Sequence, residues 1–210
     1  MKLYMVPAAP NPTKVMLYIA EKTAAGTDMG IETVLVNTLK GQQRTPEHLS
    51  RNPFGTIPVL EVGEDDYIVE SLAIIEFLEE NFPQPSMWGD GARERGRARE
   101  LERIADVRTL GPMARYIHAT NSPFGLPERP DVAEEAHSAL AVALKFLDDT
   151  LADGRELLLG DKVSVADCTL QAGLQFMRFG KADLISGYPN IVRWDEGYRQ
   201  REAARQVLKF

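Results

Sequence analysis

Around residue 85 the sequence changes its period, and that change limits the fold more than any other feature. Residues 2–78 alternate short β-branched runs with helical stretches, whereas residues 91–210 hold no convincing strand. Between them lies Asn81-Phe82-Pro83-Gln84-Pro85-Ser86, where two prolines in three positions cannot continue a helix. The expected division is a first domain over 1–81, a linker over 82–90 and an all-helical domain over 91–210. With 210 residues, 44 % of them apolar, the chain has the material for real cores in both.

In the first half, strands are predicted over 2–6, 31–36, 57–62 and 67–69, and helices over 13–23, from Thr45-Pro46 onward, and over 71–80. Thr45 suits an N-cap, and Pro46 the first helical position, where a missing N–H costs nothing. Gly63-Glu64-Asp65-Asp66 reads as a hairpin turn. The last helix is expected to bury Leu72, Ile75 and Leu78. The order βαβαββα requires a parallel pair first and antiparallel edges after it, hence a mixed sheet.

In the second half Ala136, Ala139, Leu140, Ala143, Leu144, Leu147 and Leu151 form one apolar stripe at helical spacing. Residues 164–177 carry Asp167 as their sole charge, with apolar residues all round, and are expected to form a central helix, opened by a capping box of Ser164 and Asp167. Cys168, the only cysteine, falls inside it and reads as inert packing. One cysteine also rules out an internal disulfide, a CxxC redox pair and a thiolate zinc site. The run from Arg93 to Glu100 alternates in sign, as a solvated helix face does, or an interface edge.

Charge and hydropathy exclude further classes. Thirty-one acidic residues against 24 basic give a net charge of −7, the wrong sign for neutralising phosphates, so no nucleic-acid partner is expected. No apolar run approaches the ~18 residues that cross a bilayer, so no membrane partner is expected either. The start, Met1-Lys2-Leu3-Tyr4, lacks a signal peptide's apolar core and points to the cytoplasm. His118 and His137 lack metal-ligand spacing and read as surface or packing residues, with no metal expected.

Three short segments suit chemistry. In Ile57-Pro58 a cis bond would turn the Ile57 peptide groups outward to pair with an extended peptide; an ordinary turn proline is the alternative. At Glu70-Ser71 a strand passes into a helix whose first N–H groups lack partners. A ligand carboxylate can dock there with Ser71 while Glu70 holds an ammonium, or Ser71 simply caps the helix. In Pro7-Ala8-Ala9-Pro10-Asn11-Pro12-Thr13-Lys14, Asn11 stands near a helix N-terminus that favours an anion.

In this order and spacing the three segments, with the Ser164-Val165-Ala166-Asp167 box, Tyr188-Pro189-Asn190 and Trp194, resemble the glutathione transferase family over the whole chain. Ala9-Pro10-Asn11 and Leu110-Gly111-Pro112-Met113 are similar to its bacterial nu-class branch, whose members bind glutathione and often reduce disulfide bonds. The resemblance implies a thioredoxin-like first domain, glutathione as co-substrate, and two-fold dimers, for which Phe54 is a candidate interface plug or a cover for its own core. It implies that the Ile57 backbone beside cis Pro58 pairs with the cysteinyl part of glutathione, that Glu70 and Ser71 hold the γ-glutamyl end, and that Gln43 contacts the tripeptide. His48 is a helper on this reading or an exposed helix histidine.

The family activates the thiol with a first-loop hydroxyl or cysteine, whereas this sequence has Ala9. Asn11 is left as the expected donor, with Thr13 and Tyr4 as substitutes. A hydrophobic electrophile is expected against Met113, Tyr116 and Ile117, or these three are plain core. Two functions follow: a glutathione-dependent transferase attacking an electrophile, peroxide or disulfide, and a non-catalytic protein-binding module of the same fold.

Overall fold

The computed structural model describes residues 1–210. Strands β1 (Lys2–Met5) and β2 (Glu32–Leu35) pair in parallel, with Lys2 opposite Glu32 and Met5 opposite Leu35. Helix α1 (Pro10–Ala24) makes the crossover that a parallel pair requires. Strand β3 (Val59–Gly63) lies antiparallel to β1, and β4 (Asp66–Val69) antiparallel to β3, giving the order β2-β1-β3-β4. Two 3-10 turns, Thr38–Lys40 and Gln42–Arg44, lead into α2 (Pro46–Arg51), and α3 (Ser71–Asn81) closes this half. The βαβαββα order and the mixed sheet are those read from the sequence.

Alternation along the strands separates two faces. Leu3, Met5 and Leu60 join the main core, while Tyr4 and Val59 form a small cluster with Val36 on the other face. Two details differ from expectation. Helix α1 begins at Pro10 rather than at residue 13: Pro10 and Pro12 occupy first-turn positions that need no N–H, and the Thr13 amide is the first to close, onto Ala9 O at 3.0 Å. Helix α3 buries Ile74, Ile75 and Leu78, while Leu72 is only half-buried, because α3 packs against α1 as well as the sheet.

The rest of the chain is helical. Helix α4 (Gly91–Arg103) runs through a π-helical segment (Ile104–Leu110) into α5 (Gly111–Thr120), followed by α6 (Pro130–Thr150), α7 (Val165–Phe179), α8 (Pro189–Arg199) and α9 (Glu202–Val207). Every residue of α7 from Val165 to Met177 is buried, and the helix touches α1, α4, α5 and α8. Helix α6 buries Ala136, Leu140, Ala143, Leu144 and Leu147, but Ala139 faces solvent. Cys168 is buried against Tyr198 at 3.7 Å, and burial holds its thiol well above the ordinary range.

Both halves contribute to one core, in which Leu17, Tyr18 and Ile75 share a cluster with Leu170 and Leu174. Buried charges are held by partners, as desolvation demands, and those of Lys14 lie across the two halves. Lys14 on α1 reaches Glu102 at 3.3 Å and Asp106 at 3.0 Å. Lys22 reaches Glu79 at 2.8 Å and the carbonyls of Phe82 and Pro85, fastening the segment after α3. No helix is long and apolar enough to cross a membrane.

Candidate active site

Three backbone features converge where α1 and α3 begin. The residue before the α1 cap, Ala8, has φ 68°, a region that disfavours side chains. The cap itself is Ala9, which has no side-chain acceptor, and the first turn carries no acid. Since Pro10 and Pro12 have no N–H, the Asn11 amide is the one orphan donor inside the first helical turn. Helix α3 starts after Glu70, which is held at φ 70° and ψ 119°, again with no side-chain cap. The two termini meet through Ser71 Oγ, 3.4 Å from Asn11 Oδ1, a long contact between a buried serine and an exposed asparagine. Both helix dipoles thus present positive ends to one place.

The third feature is Ile57-Pro58, whose peptide bond is cis. Neither the amide nor the carbonyl of Ile57 is hydrogen-bonded within the chain, an unpaired edge beside β3. The loop before it is fixed from behind. His48 Nε2 donates to Thr56 O at 2.9 Å, and Asn52 Nδ2 donates to the same carbonyl at 3.0 Å and to Thr56 Oγ1 at 2.9 Å. His48 is therefore a buried support at 2 % exposure, not the exposed helix histidine expected. Gln43, in the second 3-10 turn, keeps a buried Oε1 without a partner. Gly55, at φ 61°, lets the loop close on it, since a Cβ there would meet Gln43 O at 3.0 Å.

The two substitute hydroxyls are engaged elsewhere. Thr13 Oγ1 donates to Ala9 O at 2.9 Å and accepts from Gln175 Nε2 at 2.9 Å. Tyr4 donates to Glu61 at 2.6 Å beneath the Arg51 guanidinium, and burial with that carboxylate holds its phenol up. Neither is free to meet a ligand.

Against the α1 turn opens an apolar cavity of about 220 Å³, lined by Ala8, Ala9, Pro10 and Ile57 on one side and by Ala114, His118, Phe124, Phe176 and Phe179 on the other. Of the larger clefts, those of about 460 and 590 Å³ share none of these residues, and their lining includes Arg155 and Arg201, already paired with Asp153 and Glu21; a third, of about 430 Å³, also touches Ala114 and His118, beside Arg115 and Arg129. Met113 and Ile117 do not reach the apolar cavity: both are fully buried in the core, and Tyr116 is half-buried near His137. Helix α5 turns the adjacent face, Ala114 and His118, toward the opening.

His118 is the site residue that sequence reasoning missed. Its Nδ1 lies 3.1 Å from Ser122 Oγ, and its ring stacks on Phe124 and tilts against Phe176, each centroid 5.7 Å away. Burial lowers its pKa below 6.5, so the neutral imidazole prevails at pH 7. It is the one titratable side chain lining this cavity. The signal was there in Gly111, Ala114 and His118 at helical spacing, two small residues and a base on one face. No cluster of three His, Cys, Asp or Glu side chains is placed to hold a metal.

The sequence matches the family description "Glutathione S-transferase, N-terminal domain" over residues 1–80 and "Glutathione S-transferase, C-terminal domain" over residues 105–202. It is 28 % identical to "Glutathione S-transferase 2" of Saccharomyces cerevisiae, over 100 % of this chain and 90 % of that protein. It is 36 % identical to "Maleylacetoacetate isomerase" of Pseudomonas aeruginosa, over 99 % and 95 %. Among solved structures, Gtt2 of Saccharomyces cerevisiae superposes with a TM-score of 0.86 at 28 % identity, covering 99 % of this chain and all of that one.

Proposed function

The chain belongs to the glutathione S-transferase family, and we propose that it is a glutathione-dependent transferase that activates the bound thiol without a side-chain hydroxyl. In this reading residues 1–81 hold the tripeptide, residues 82–90 link, and residues 91–210 supply the electrophile side. The Ile57 backbone pairs with the cysteinyl unit. Ser71 and the α3 N-terminus take the γ-glutamyl carboxylate, with Glu70 on its ammonium, and Gln43 uses its unpartnered Oε1 on a tripeptide N–H.

The observation that carries this reading is the pairing of an uncapped α1 terminus with His118 across one apolar cavity. The cysteinyl sulfur placed between them meets Asn11, through its backbone N–H and side-chain amide, and the imidazole. With Nδ1–H donating to Ser122 Oγ, Nε2 offers a lone pair that accepts the thiol proton. The thiolate then attacks the electrophilic centre, and the leaving group departs with the bonding pair. Hydrogen bonds to a charged acceptor are worth ~1.5–3 kcal/mol, and at ~1.4 kcal/mol per pKa unit the donors bring a thiol from ~8.5 to ~7. The cavity, with Phe124, Phe176 and Phe179 on its walls, takes a small apolar electrophile; Met113, Tyr116 and Ile117 back it as core.

The reading places the protein in the cytoplasm, where thiols are kept reduced. It includes a homodimer, for which Phe54, 65 % exposed on a loop tip, is the plug. Size-exclusion chromatography tests that part.

A panel measuring glutathione consumption with an aryl halide, an organic peroxide and a small disulfide tests the transferase and separates it from a non-catalytic binding module. A transferase consumes glutathione with at least one of the three, and Asn11→Ala lowers that turnover about tenfold, the loss of one charged hydrogen bond. A protein that consumes none and shows no thermal shift with millimolar glutathione is the binding module instead.

A further inference from the structure

We infer that Gln175 is a positioning residue for the thiol, a buried amide that ties the residues after α9 to the turn where α1 begins; the inference rests on the thiol activation proposed above. Gln175 lies on the central helix at 0 % exposure, among side chains that are almost all apolar. An amide buried there is unfavourable unless both of its ends are bonded. Both are, and to segments remote in sequence. Nε2 donates to Thr13 Oγ1 at 2.9 Å, and Oε1 accepts from the Lys209 amide at 2.6 Å.

The directions are fixed by what each group can do. The Ala9 carbonyl only accepts, so Thr13 Oγ1 donates to it at 2.9 Å and has its lone pairs left for Gln175. Gln175 must then present NH₂ to Thr13 and its oxygen to Lys209. The result is one chain of aligned bonds from the Lys209 N–H through Gln175 and Thr13 to the carbonyl of the uncapped residue, and such chains strengthen their members. Ala9 and the Asn11 donor two residues on take their orientation from its end.

Packing does not make this connection by itself. A cavity of about 170 Å³ lies between Pro7 and Ala8 on one side and Val207 and Lys209 on the other, and it is lined by Thr13 and Lys209, the two residues that Gln175 bonds. The same segment also reaches the electrophile wall: Arg178 Nε donates to Phe210 O at 2.9 Å, and the Phe210 ring meets Phe179 at 5.3 Å, whose neighbour Phe176 lies against His118.

Thr13→Val keeps the shape and removes the hydroxyl, Thr13→Ser keeps the hydroxyl, and Gln175→Met breaks the chain one residue earlier. The readout is the pKa of bound glutathione, from the ultraviolet absorbance of its thiolate against pH, with glutathione affinity from calorimetry. Thr13→Val and Gln175→Met are expected to raise that pKa by about half a unit, roughly a threefold loss of thiolate below it, while affinity changes less than about twofold. Thr13→Ser is expected to titrate like the wild type. A Thr13→Val complex titrating with the wild type, or a Thr13→Ser complex shifted as far as Thr13→Val, overturns the inference. A wild-type complex whose thiol titrates like free glutathione overturns the thiol activation and this inference with it.

Discussion

Helices α7 and α1 treat their first turns in opposite ways. At the start of α7, Asp167 Oδ2 accepts from the Ser164 amide at 2.9 Å and its hydroxyl at 2.6 Å, and Oδ1 accepts from the Leu158 amide at 2.9 Å and Trp194 Nε1 at 3.2 Å. At the start of α1 stand Ala9, two prolines and an asparagine with a free amide. The first terminus is complete without any ligand. The second is left open, and in the function proposed above it is the end of this 15-residue helix that receives the thiolate. On that reading, the difference separates side chains that hold the fold from those kept for the substrate.

The largest effect expected from breaking this comparison is on the closed terminus. Asp167→Ala strands four donors, all of them on buried residues, and at ~1–3 kcal/mol per unsatisfied group the loss should reach about 4 kcal/mol or more. Urea unfolding measures it. A loss under about 1 kcal/mol would mean that α7 does not depend on its cap. Asn11→Ala, by contrast, should leave unfolding within ~0.5 kcal/mol of the wild type, since an exposed residue with one long contact holds little.

Next in size is the base across the cavity. His118→Phe preserves an aromatic ring between Phe124 and Phe176 but removes the proton acceptor, and kcat/KM at pH 7 should fall about a hundredfold, as for other general bases. The acid limb of the profile should vanish with it. Because burial lowers the His118 pKa, the folded state binds its proton less readily than the unfolded chain does. Its contribution to stability is therefore complete above about pH 6.5 and declines as pH falls below that value. The variant should be the less acid-sensitive of the two in thermal melts at pH 5.

How legible these features were in the sequence depends on how local their causes are. The βαβαββα order and the mixed sheet follow from strand spacing and crossover rules, and the α7 cap from four consecutive residues. Ile57-Pro58 and Glu70-Ser71 were readable as segments because backbone geometry at such steps is set by neighbours in the chain. The wall of the cavity was not. Whether α5 turns Met113 and Ile117 or Ala114 and His118 toward an opening depends on α6 and α7 packed against it, and both faces carry apolar residues. His48 was misplaced for a similar reason: its burial comes from the loop that folds back to put Thr56 over it. The Gln175 amide joins residues 162 apart to a segment 34 residues on, and no local spacing announces that.

The smallest effect is the most direct comparison of the two termini. Ala9 has φ −66° and ψ 135°, the extended conformation of an N-cap, so Ala9→Ser needs no backbone change. Its hydroxyl can accept only from the Asn11 amide, because the next position is Pro12, and the reciprocal box of α7 cannot form. Without ligand the variant should gain about 0.5 kcal/mol, the low end for a cap. With glutathione bound, the Asn11 donor is already occupied by sulfur, and the hydroxyl has to turn and donate to the thiolate instead. The variant should then show a lower bound-thiol pKa than the wild type, read from the ultraviolet absorbance of the thiolate against pH. A bound-thiol pKa unchanged by the added hydroxyl would mean that the open end of α1 and the sulfur site are separate places.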